Sequence, residues 1–308
     1  MFKRKSIASR LEKTERNKKT AKSKSPFLES LWRIRKNKTA VAGLIVICVF
    51  ALMAVFANLI SPYDPLAQSL YDKLKPPVWA EGGAAKNLLG TDDFGRDILS
   101  RLIHGARISM KVGFISVSIA CILGVLIGSL AGFYGGMLDM VVMRFMDIML
   151  SIPYFLLAIV MVTLFGPSLN NAMIAIGTVA IPQYARLVRG SVLEELSKDY
   201  VQGARALGAN NFRLIFIHVI PNCLAPLIVQ CSLGFGSAII NCAALSFIGL
   251  GAQPPIPEWG AMLTHARALI LTAWWVITFP GLMILAAVLG FNLFGDGVRD
   301  AFDPKLHD

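Results

Sequence analysis

The sequence predicts an all-α membrane protein with six transmembrane helices, and three observations lead to this fold class. Hydrophobic residues make up 55% of the 308 positions and charged residues 16%, whereas charged residues are about 25% of ordinary soluble domains. The apolar residues occur in long runs instead of recurring at helical or strand spacing. Lysine and arginine are concentrated before the first of these runs.

Six apolar runs are candidates for transmembrane helices. The first, residues 40–60, carries no charge and as a helix rising about 1.5 Å per residue would cross a bilayer. The third is interrupted in its first turns by Arg144 and Asp147, and Pro153 should kink it. The six predicted spans are 40–60, 112–133, 141–165, 172–188, 223–250 and 271–293.

The charge distribution predicts the orientation of these spans. Residues 1–39 carry 14 Lys and Arg against 3 Glu, a net charge of +11 that equals that of the whole chain. A basic block beside the first span places the N-terminus in the cytoplasm, and six spans return the C-terminus there. The same topology puts residues 61–107 outside the membrane and residues 198–221 in the cytoplasm.

The basic block also predicts contact with the membrane surface. Residues 1–24 have the composition of a disordered tail, and residues 25–38 predict an amphipathic helix lying on the anionic cytoplasmic leaflet. A run this basic can also indicate nucleic-acid binding. We expect no nucleic-acid partner, because the block lacks interleaved aromatic residues and abuts a span.

Intramembrane charge is scarce in this chain. Arg144 and Asp147 are three residues apart on one helical face, which predicts that they neutralise each other near the inner interface. Arg186 and Arg189 are expected to end the fourth span and to extend toward the cytoplasm. A proton- or sodium-driven transporter usually needs a buried carboxylate or a polar site at the membrane midplane, so this scarcity argues against that class.

Small residues mark two places where helices or partners can approach closely. Gly124, Gly128 and Gly132 recur every four residues and predict a helix-packing stripe. In the polar stretch 198–221, Ala204 and Gly208 are four apart and would lie on one face of a helix, open to another protein surface. An ordinary hairpin loop between two spans is the alternative that this spacing leaves open.

Helix-end signals divide the polar stretch into two short helices. Ser197 is the expected N-cap of the first helix, with Asp199 in its first turn. Gly208 is the expected end of that helix, and Asn210 is the expected cap of the second. Pro221 is expected to mark the boundary to the next span.

This stretch resembles the cytoplasmic coupling loop of ATP-binding-cassette importer permeases. The family pattern is Glu-Ala-Ala, three residues, Gly, nine residues and then Ile-x-Leu-Pro. Gln202, Gly203 and His218 depart from it, whereas Ala204, Gly208 and the terminal proline agree. The resemblance implies that the loop docks into a groove on a separate ATPase subunit. The residues assigned to this contact are Gln202, Gly203, Ala204, Leu207, Gly208, His218 and Pro221.

The segment Gly90-Thr-Asp-Asp-Phe-Gly-Arg-Asp97 resembles the signature of the C-type permease subunits of peptide and nickel importers. It is not a phosphate-binding loop, because arginine and aspartate replace the required lysine and serine or threonine. We expect its charges to form ion pairs at the outer membrane surface; contact with a docking binding protein is the alternative. The charged residues concerned are Asp92, Asp93, Arg96, Asp97, Arg101 and Arg107.

The resemblance covers nearly the whole chain beyond the basic tail, with specific matches at Trp274–Gly281 and Gly295–Pro304. It is strongest to the dipeptide C-type subunits and implies a type I importer permease fold. The predicted organisation is a basic cytoplasmic tail (1–39), a first transmembrane helix (40–60), an outward-facing loop (61–107), and a core permease domain (108–308) with five transmembrane helices and the coupling loop 198–221.

The function implied by the resemblance is the import of dipeptides or short peptides by alternating access. The implied partners are a homologous second permease subunit, two ATP-binding ATPase subunits, an extracytoplasmic substrate-binding protein and membrane lipid. The implied location is the bacterial inner membrane, with both termini cytoplasmic. We expect no enzyme activity, no cofactor and no metal, because the sequence contains no nucleotide-binding motif, catalytic cluster or metal-ligand spacing.

Other functions remain open at this point. Importers of nickel, haem, glutathione or antimicrobial peptides share the architecture that the resemblance implies. A secondary transporter or a membrane scaffold protein would belong to a different class. An importer permease depends on ATPase partners, whereas a secondary transporter or a scaffold protein does not.

Overall fold

The computed structural model describes residues 34–302, which form helices and one isolated β-bridge, between Thr91 and Asp97, with no β-strand. The predicted tail 1–24 and most of the predicted amphipathic helix 25–38 lie outside this range. The helices of eight or more residues are α1 (Lys38–Val55), α2 (Ile98–Tyr134), α3 (Gly136–Ser151), α4 (Tyr154–Phe165), α5 (Leu169–Leu196), α6 (Asp199–Ala206), α7 (Leu224–Phe247), α8 (Trp259–Ala266) and α9 (Trp274–Phe302).

All six predicted spans coincide with helices. Helices α1, α2 and α9, and the helical segment Asn211–Phe247 that ends in α7, are long and apolar enough to cross a membrane. Helices α3 and α4 pass the same test as a pair that is bent by 92°. The bend falls at Pro153, which has no amide hydrogen to continue the first helix. The kink predicted at this proline is therefore confirmed.

The predicted fourth span lies in α5, which is 28 residues long but less apolar than the other spans. Its polar residues include Asn170, Asn171 and Gln183. The helix lies against α2 along the predicted glycine stripe: a Cβ added at Gly128 would lie 2.3 Å from the carbonyl oxygen of Ala185. The two backbones are therefore in direct contact, as the stripe predicts.

The surface of the bundle suits a lipid environment. Large side chains such as Ile45, Phe114 and Leu164 are between 58% and 77% exposed, which would be unfavourable in water over so wide an area. The interior is divided among several apolar clusters. One of them, which includes Phe50, Trp259 and Phe291, joins α1, α2, α7, α8 and α9.

Two ion pairs join α3 to α5. Asp147 pairs with Arg186 at 2.5 Å, and Asp139 pairs with Arg189 at 2.5 Å. The predicted pair between Arg144 and Asp147 is therefore wrong, because α5 brings an arginine closer to Asp147 than its own helix does. Arg186 and Arg189 are thus paired with α3, and α5 continues beyond them to Leu196; that the membrane span ends at these arginines stays a prediction.

The outer segment, residues 61–97, is held by buried charges. Asp92 contacts Arg96 at 2.6 Å and Arg101 at 3.7 Å, and all three side chains are at most 7% exposed. The prediction of ion pairs is confirmed for these three residues. Asp97 instead caps α2, because its carboxylate accepts a hydrogen bond from the backbone N–H of Ser100 at 2.8 Å.

Three further contacts fasten the outer segment and the start of α2 to the bundle. The Arg107 guanidinium donates to the carbonyl oxygen of Ala54 at 2.7 Å instead of forming the ion pair that was expected. The indole N–H of Trp275 donates to the carbonyl of Thr91, and that of Trp259 donates to the carbonyl of Leu102, both at 3.1 Å. The outer segment is therefore part of the folded core.

The two ends of the described chain lie together. The side-chain amide of Asn37 donates to the carboxylate of Asp300 at 3.4 Å, and a Cβ added at Gly297 would meet the Cβ of Ala40 at 2.3 Å. Because Arg107 at the start of α2 contacts the end of α1, the start of α1 lies toward the end of α2. Both ends of the described chain are therefore on the side of the bundle where α2 ends.

Candidate coupling loop

The candidate loop, residues 198–221, begins where α5 ends and leads into α7. Helix α6 is followed by a helical turn, Asn211–Arg213, a π-helical turn, Leu214–Val219, and a 3₁₀ turn, Ile220–Cys223. The expected boundary at Pro221 is a change of helix type within one continuous helical segment. This proline occupies an early position of the 3₁₀ turn, where its missing N–H costs little.

Two of the three predicted cap features are confirmed. Asp199 lies in the first turn of α6, and the Asn210 side chain accepts from the backbone N–H of Arg213 at 2.8 Å. The N-cap of α6 is Lys198, so the assignment of Ser197 to that position is wrong. Ser197 instead ends α5, where its hydroxyl donates to the carbonyl of Glu194 at 2.7 Å.

The end of α6 forms a Schellman motif around Gly208. The backbone N–H of Gly208 donates to the carbonyl of Arg205 at 3.0 Å, and that of Ala209 donates to the carbonyl of Ala204 at 3.1 Å. Gly208 has a φ of +85°, which residues with a Cβ rarely adopt. The prediction that Gly208 ends the helix is confirmed.

The predicted small face of Ala204 and Gly208 is not formed. Helix α6 stops at Ala206, so Gly208 lies beyond the helix and does not share a helical face with Ala204. Ala204 is half-buried and packs against a buried cluster that includes Val201 and Leu214. The open glycine on the helix is its neighbour Gly203, which is exposed and would have no atom within 4 Å of an added Cβ.

Several large apolar side chains are exposed on the outward surface of the loop, beside exposed polar ones such as Arg205 and Arg213; of these apolar residues, only Leu207 was predicted to contact a partner. Leu207 is 91% exposed, Phe212 is 68% exposed and Phe216 is 42% exposed. The rings of Phe212 and Phe216 lie with their centroids 4.6 Å apart. The signal that was missed is the presence of two aromatic residues, four apart, in a polar stretch. Large apolar side chains grouped on an exposed surface are typical of protein interfaces.

Tyr200 ties the beginning of the loop to its end. Its hydroxyl donates to the carboxylate of Glu195 and accepts from the amide of Asn222 at 3.0 Å. The same amide donates to the carbonyl of His218 at 2.7 Å. Partial burial, together with the Glu195 carboxylate, raises the pKa of Tyr200 to about 12. The hydroxyl therefore stays protonated at neutral pH and can donate its hydrogen bond to Glu195.

Glu195 also pairs with Lys198. The hydrogen bond to the carboxylate raises the pKa of Lys198 above its ordinary value, so this amine stays charged. Glu195 thus binds two partners, Lys198 at the N-cap of α6 and Tyr200 in its first turn. These contacts fix the angle at which α6 leaves α5.

The side chains of Gln202 and Arg205 connect the loop to the spans. The Gln202 amide donates to the carbonyl of Leu196, the last residue of α5, at 3.0 Å. The Arg205 guanidinium lies 6.0 Å from the centre of the Phe133 ring near the end of α2. His218 is half-buried in the π-helical turn before α7. Contacts therefore connect the loop to α2, α5 and the start of α7.

The two sides of the loop differ in their contacts. One side is joined to three long helices, and the other side presents Gly203, Leu207 and Phe212 to the exterior. Within residues 34–302, no group of three or more His, Cys, Asp or Glu side chains is placed to hold a metal ion. A protein bound at the open side would contact a loop that is itself attached to α2, α5 and α7.

Comparison with known families defines the class of this protein. The family model described as binding-protein-dependent transport system inner membrane component matches residues 124–308. A second model, the N-terminal transmembrane domain of oligopeptide transport permease C, matches residues 25–77. The chain belongs to the family of inner-membrane permease components of binding-protein-dependent importers. It is accordingly a multi-pass membrane protein with a transport function.

The relatives within this family include several peptide permeases. The di/tripeptide transport system permease protein of Pseudomonas aeruginosa is 52% identical over 92% of this chain and 93% of its own length. The dipeptide transport system permease protein of Escherichia coli K12 is 53% identical over 91% of this chain and 93% of its own length. A glutathione transport system permease protein of Pectobacterium atrosepticum is 42% identical over 92% of each chain.

A solved structure has the same fold. The inward-facing MetNI methionine ABC transporter contains a chain that matches 66% of this chain and 97% of its own length, with a TM-score of 0.55 and 20% identity. The predicted importer permease fold is therefore confirmed. The predicted membership of the dipeptide C-type permeases is confirmed by the identities to the dipeptide relatives.

Proposed function

We propose that this protein is the C-type permease subunit of an ATP-driven importer of dipeptides and other short peptides, and that residues 198–221 couple it to an ATPase subunit. The observation that carries the coupling proposal is the exposed apolar surface of Leu207 and Phe212 on a loop fastened to three spans. An isolated chain would leave this surface in water. A partner that covers it would gain about 25 cal/mol for each Å² of apolar area buried.

The proposed partners divide the work of transport. A homologous second permease forms a central path with this chain, and a soluble binding protein delivers the substrate from outside. Two ATPase subunits bind beneath the pair and supply ATP hydrolysis, for which this chain has no sequence motif. Closure of the ATPases moves α6 and the turn Asn211–Arg213, and the attached spans rock to open the path outward.

The proposed orientation follows from charge and from the position of the loop. The basic block of residues 1–39 favours a cytoplasmic N-terminus. Contacts at Asn37 and Asp300 place both ends of the described chain together, and the contact of Arg205 with Phe133 places the loop at the same end of α2. An ATPase in the cytoplasm would meet all of these elements on one side.

Short peptides are the substrate class that the relatives favour, since the permeases of dipeptide systems reach identities of 50% or more over about nine-tenths of this chain. The glutathione permease, at 42%, supports glutathione as the second candidate. Glutathione is itself a short peptide with an additional carboxylate. Both candidates present backbone amides and charged ends to the same path.

Substrate uptake by the assembled transporter tests the proposal. The chain is produced with the second permease, the ATPases and the binding protein of its own system, and uptake of radiolabelled alanyl-alanine into proteoliposomes is measured. We expect ATP-dependent uptake that unlabelled dipeptides inhibit and nickel or haem does not. Uptake of glutathione with no uptake of dipeptides would replace the first candidate with the second, and uptake independent of ATP would refute the mechanism.

A further inference from the structure

A polar cleft lies among α2, α4, α5 and α7, in the part of the bundle where the spans are otherwise apolar. Its volume is 310 Å³, near the lower end of the range for small-molecule sites, about 300–1,000 Å³. None of its fourteen lining residues is Asp, Glu, Lys, Arg or His. Its polar groups are neutral amides and hydroxyls. The polar lining residues are Ser116, Tyr154, Gln183, Tyr184, Gln230, Ser237 and Asn241.

Two of these amides are available to a ligand. The side chains of Gln183 and Gln230 make no hydrogen bond to any residue between 34 and 302. The Tyr154 hydroxyl donates to the carbonyl of Ile176 at 3.0 Å, and the Tyr184 hydroxyl donates to the backbone carbonyl of Gln230 at 3.2 Å. The two tyrosine hydroxyls therefore already donate hydrogen bonds within the protein, whereas both glutamine amides remain able to donate and accept hydrogen bonds.

This side of the bundle does not suit lipid. The Gln183 amide is exposed at the cleft and has no hydrogen-bond partner among residues 34–302, and a polar group left unpaired in hydrocarbon costs several kcal/mol. A neighbouring groove provides the contrast: it is lined by Leu44, Phe114, Phe291 and other mainly apolar side chains, as a lipid-facing surface requires. The cleft must therefore face water or polar groups.

We propose that this cleft is the chain's share of the translocation path and that Gln183 and Gln230 hydrogen-bond the backbone amides of a passing peptide. The proposal rests on the peptide-importer function proposed above. A primary amide offers both a donor and an acceptor, as a peptide bond does. Neutral groups bind short peptides of any side-chain charge and release them readily, because no buried ion pair has to be broken.

The geometry also explains how the cleft is kept open. An added Cβ at Gly234 would lie 2.2 Å from the Tyr184 hydroxyl, so only glycine leaves room for that ring beside α7. The Tyr184 side chain is buried, with only 2% of its surface exposed. The ring forms a fixed floor, and the two glutamine side chains project beside it. The site therefore combines a rigid apolar base with flexible amide groups.

The test uses the complete transporter reconstituted in proteoliposomes, with alanyl-alanine as the probe. The variants are Gln183→Met and Gln230→Met, singly and together, which keep side-chain length and remove the amide. Asn170→Leu is the matched control, since it removes an exposed amide from the same helix, α5, outside the cleft. Uptake and binding-protein-stimulated ATPase activity are measured in parallel.

We expect each single variant to lower uptake about fivefold and the double variant to lower it more than about tenfold, the effect of losing one and two hydrogen bonds. ATPase activity and the Asn170→Leu control should stay near the original values. Normal dipeptide uptake by the double variant would overturn the path assignment while leaving the importer function intact. Failure of the unaltered transporter to take up any dipeptide would instead overturn the proposed function.

A second measurement separates a path from a closed subunit interface. Ser237→Cys places a thiol on the exposed side of the cleft, and the complex is treated with N-ethylmaleimide beside an identically treated unaltered complex that controls for the native cysteines. We expect modification to block uptake in the variant, and alanyl-alanine to slow the modification. A thiol that cannot be modified in the assembled complex would show that the second permease covers the cleft, and would contradict the proposal.

Discussion

The outer segment (61–97) and the coupling loop (198–221) differ most in the surroundings of their glycines. An added Cβ at Gly95 would lie 1.9 Å from the carbonyl oxygen of Ser69, and one at Gly90 would lie 2.5 Å from that of Lys75. At Gly203 and Gly208, no atom lies within 4 Å of an added Cβ. Packing requires glycine at positions 90 and 95 of the outer segment, whereas the loop glycines stand at an open surface.

The charged side chains differ in the same way. The outer segment buries Asp92 and Arg96 against Arg101 of α2, whereas Arg205 and Arg213 of the loop are exposed. A segment that pairs its own buried charges contributes to folding without a partner. The loop leaves Gly203, Leu207 and Phe212 at an open surface, where we propose that an ATPase subunit binds. We therefore expect substitutions in the first region to affect stability and those in the second to affect assembly.

The largest effect on stability is expected for Asp92→Asn. Loss of the carboxylate removes the closest counter-charge of two buried arginines, which should cost about 3–5 kcal/mol. The measurement is the thermal unfolding midpoint of the purified permease in detergent. Asp93→Asn, a change in the adjacent half-buried carboxylate, is the control and should lower the midpoint much less. Equal shifts in the two variants would show that the buried cluster is not what stabilises the segment.

A smaller loss is expected for Gly95→Ala. The residue has a φ of +72° and no space for a Cβ, so strain and the contact with Ser69 should together cost about 2–3 kcal/mol. Gly82→Ala is the matched control, because Gly82 has a φ of +83° and its nearest neighbour is 3.7 Å away. The difference in unfolding midpoint between the two variants measures the contact alone. If the two variants have the same unfolding midpoint, the backbone of Ser69 moves readily to make room for a Cβ at residue 95.

The smallest effect on stability is expected for Gly208→Ala, which must adopt a φ of +85° in open space. The cost should be about 1 kcal/mol. Gly203→Ala is the control: it lies inside α6 without positive φ and should leave stability unchanged or raise it slightly. Unfolding midpoints of the two variants provide the comparison. A larger loss for Gly203→Ala would mean that α6 is packed differently from the structure.

The sequence predicted the fold to the level of individual spans, because a bilayer requires long apolar runs and the positive-inside rule constrains their direction. The glycine stripe at Gly124, Gly128 and Gly132 and the kink at Pro153 were also readable, since each depends on residues close in sequence. The partners of Asp147 and Arg107 could not be predicted from the sequence. Both are set by a neighbouring helix whose register and rotation no local pattern contains.

The candidate coupling loop is recognisable in the sequence as a polar stretch between two apolar spans, but the sequence did not predict which of its faces is open. The interpretation that Ala204 and Gly208 share an open face assumed that the helix continues to Gly208. The Schellman motif ends it two residues earlier, and Ala204 faces the interior. Small residues are compatible with either a buried or an open face, so spacing alone cannot choose between them. The exposed Leu207 and Phe212 distinguish the outer face only once the backbone is known.

The central claim is that the open face of α6 receives an ATPase subunit, and Gly203→Trp tests it most directly. Gly281→Trp is the matched control: it lies in α9, has helical φ and likewise has no atom within 4 Å of an added Cβ. Each variant is purified through a tag on this chain, and the ATPase subunits retained are quantified. We predict that Gly203→Trp inserts normally and loses the ATPase subunits, while Gly281→Trp retains them. Full retention by Gly203→Trp, with normal uptake, would contradict the claim.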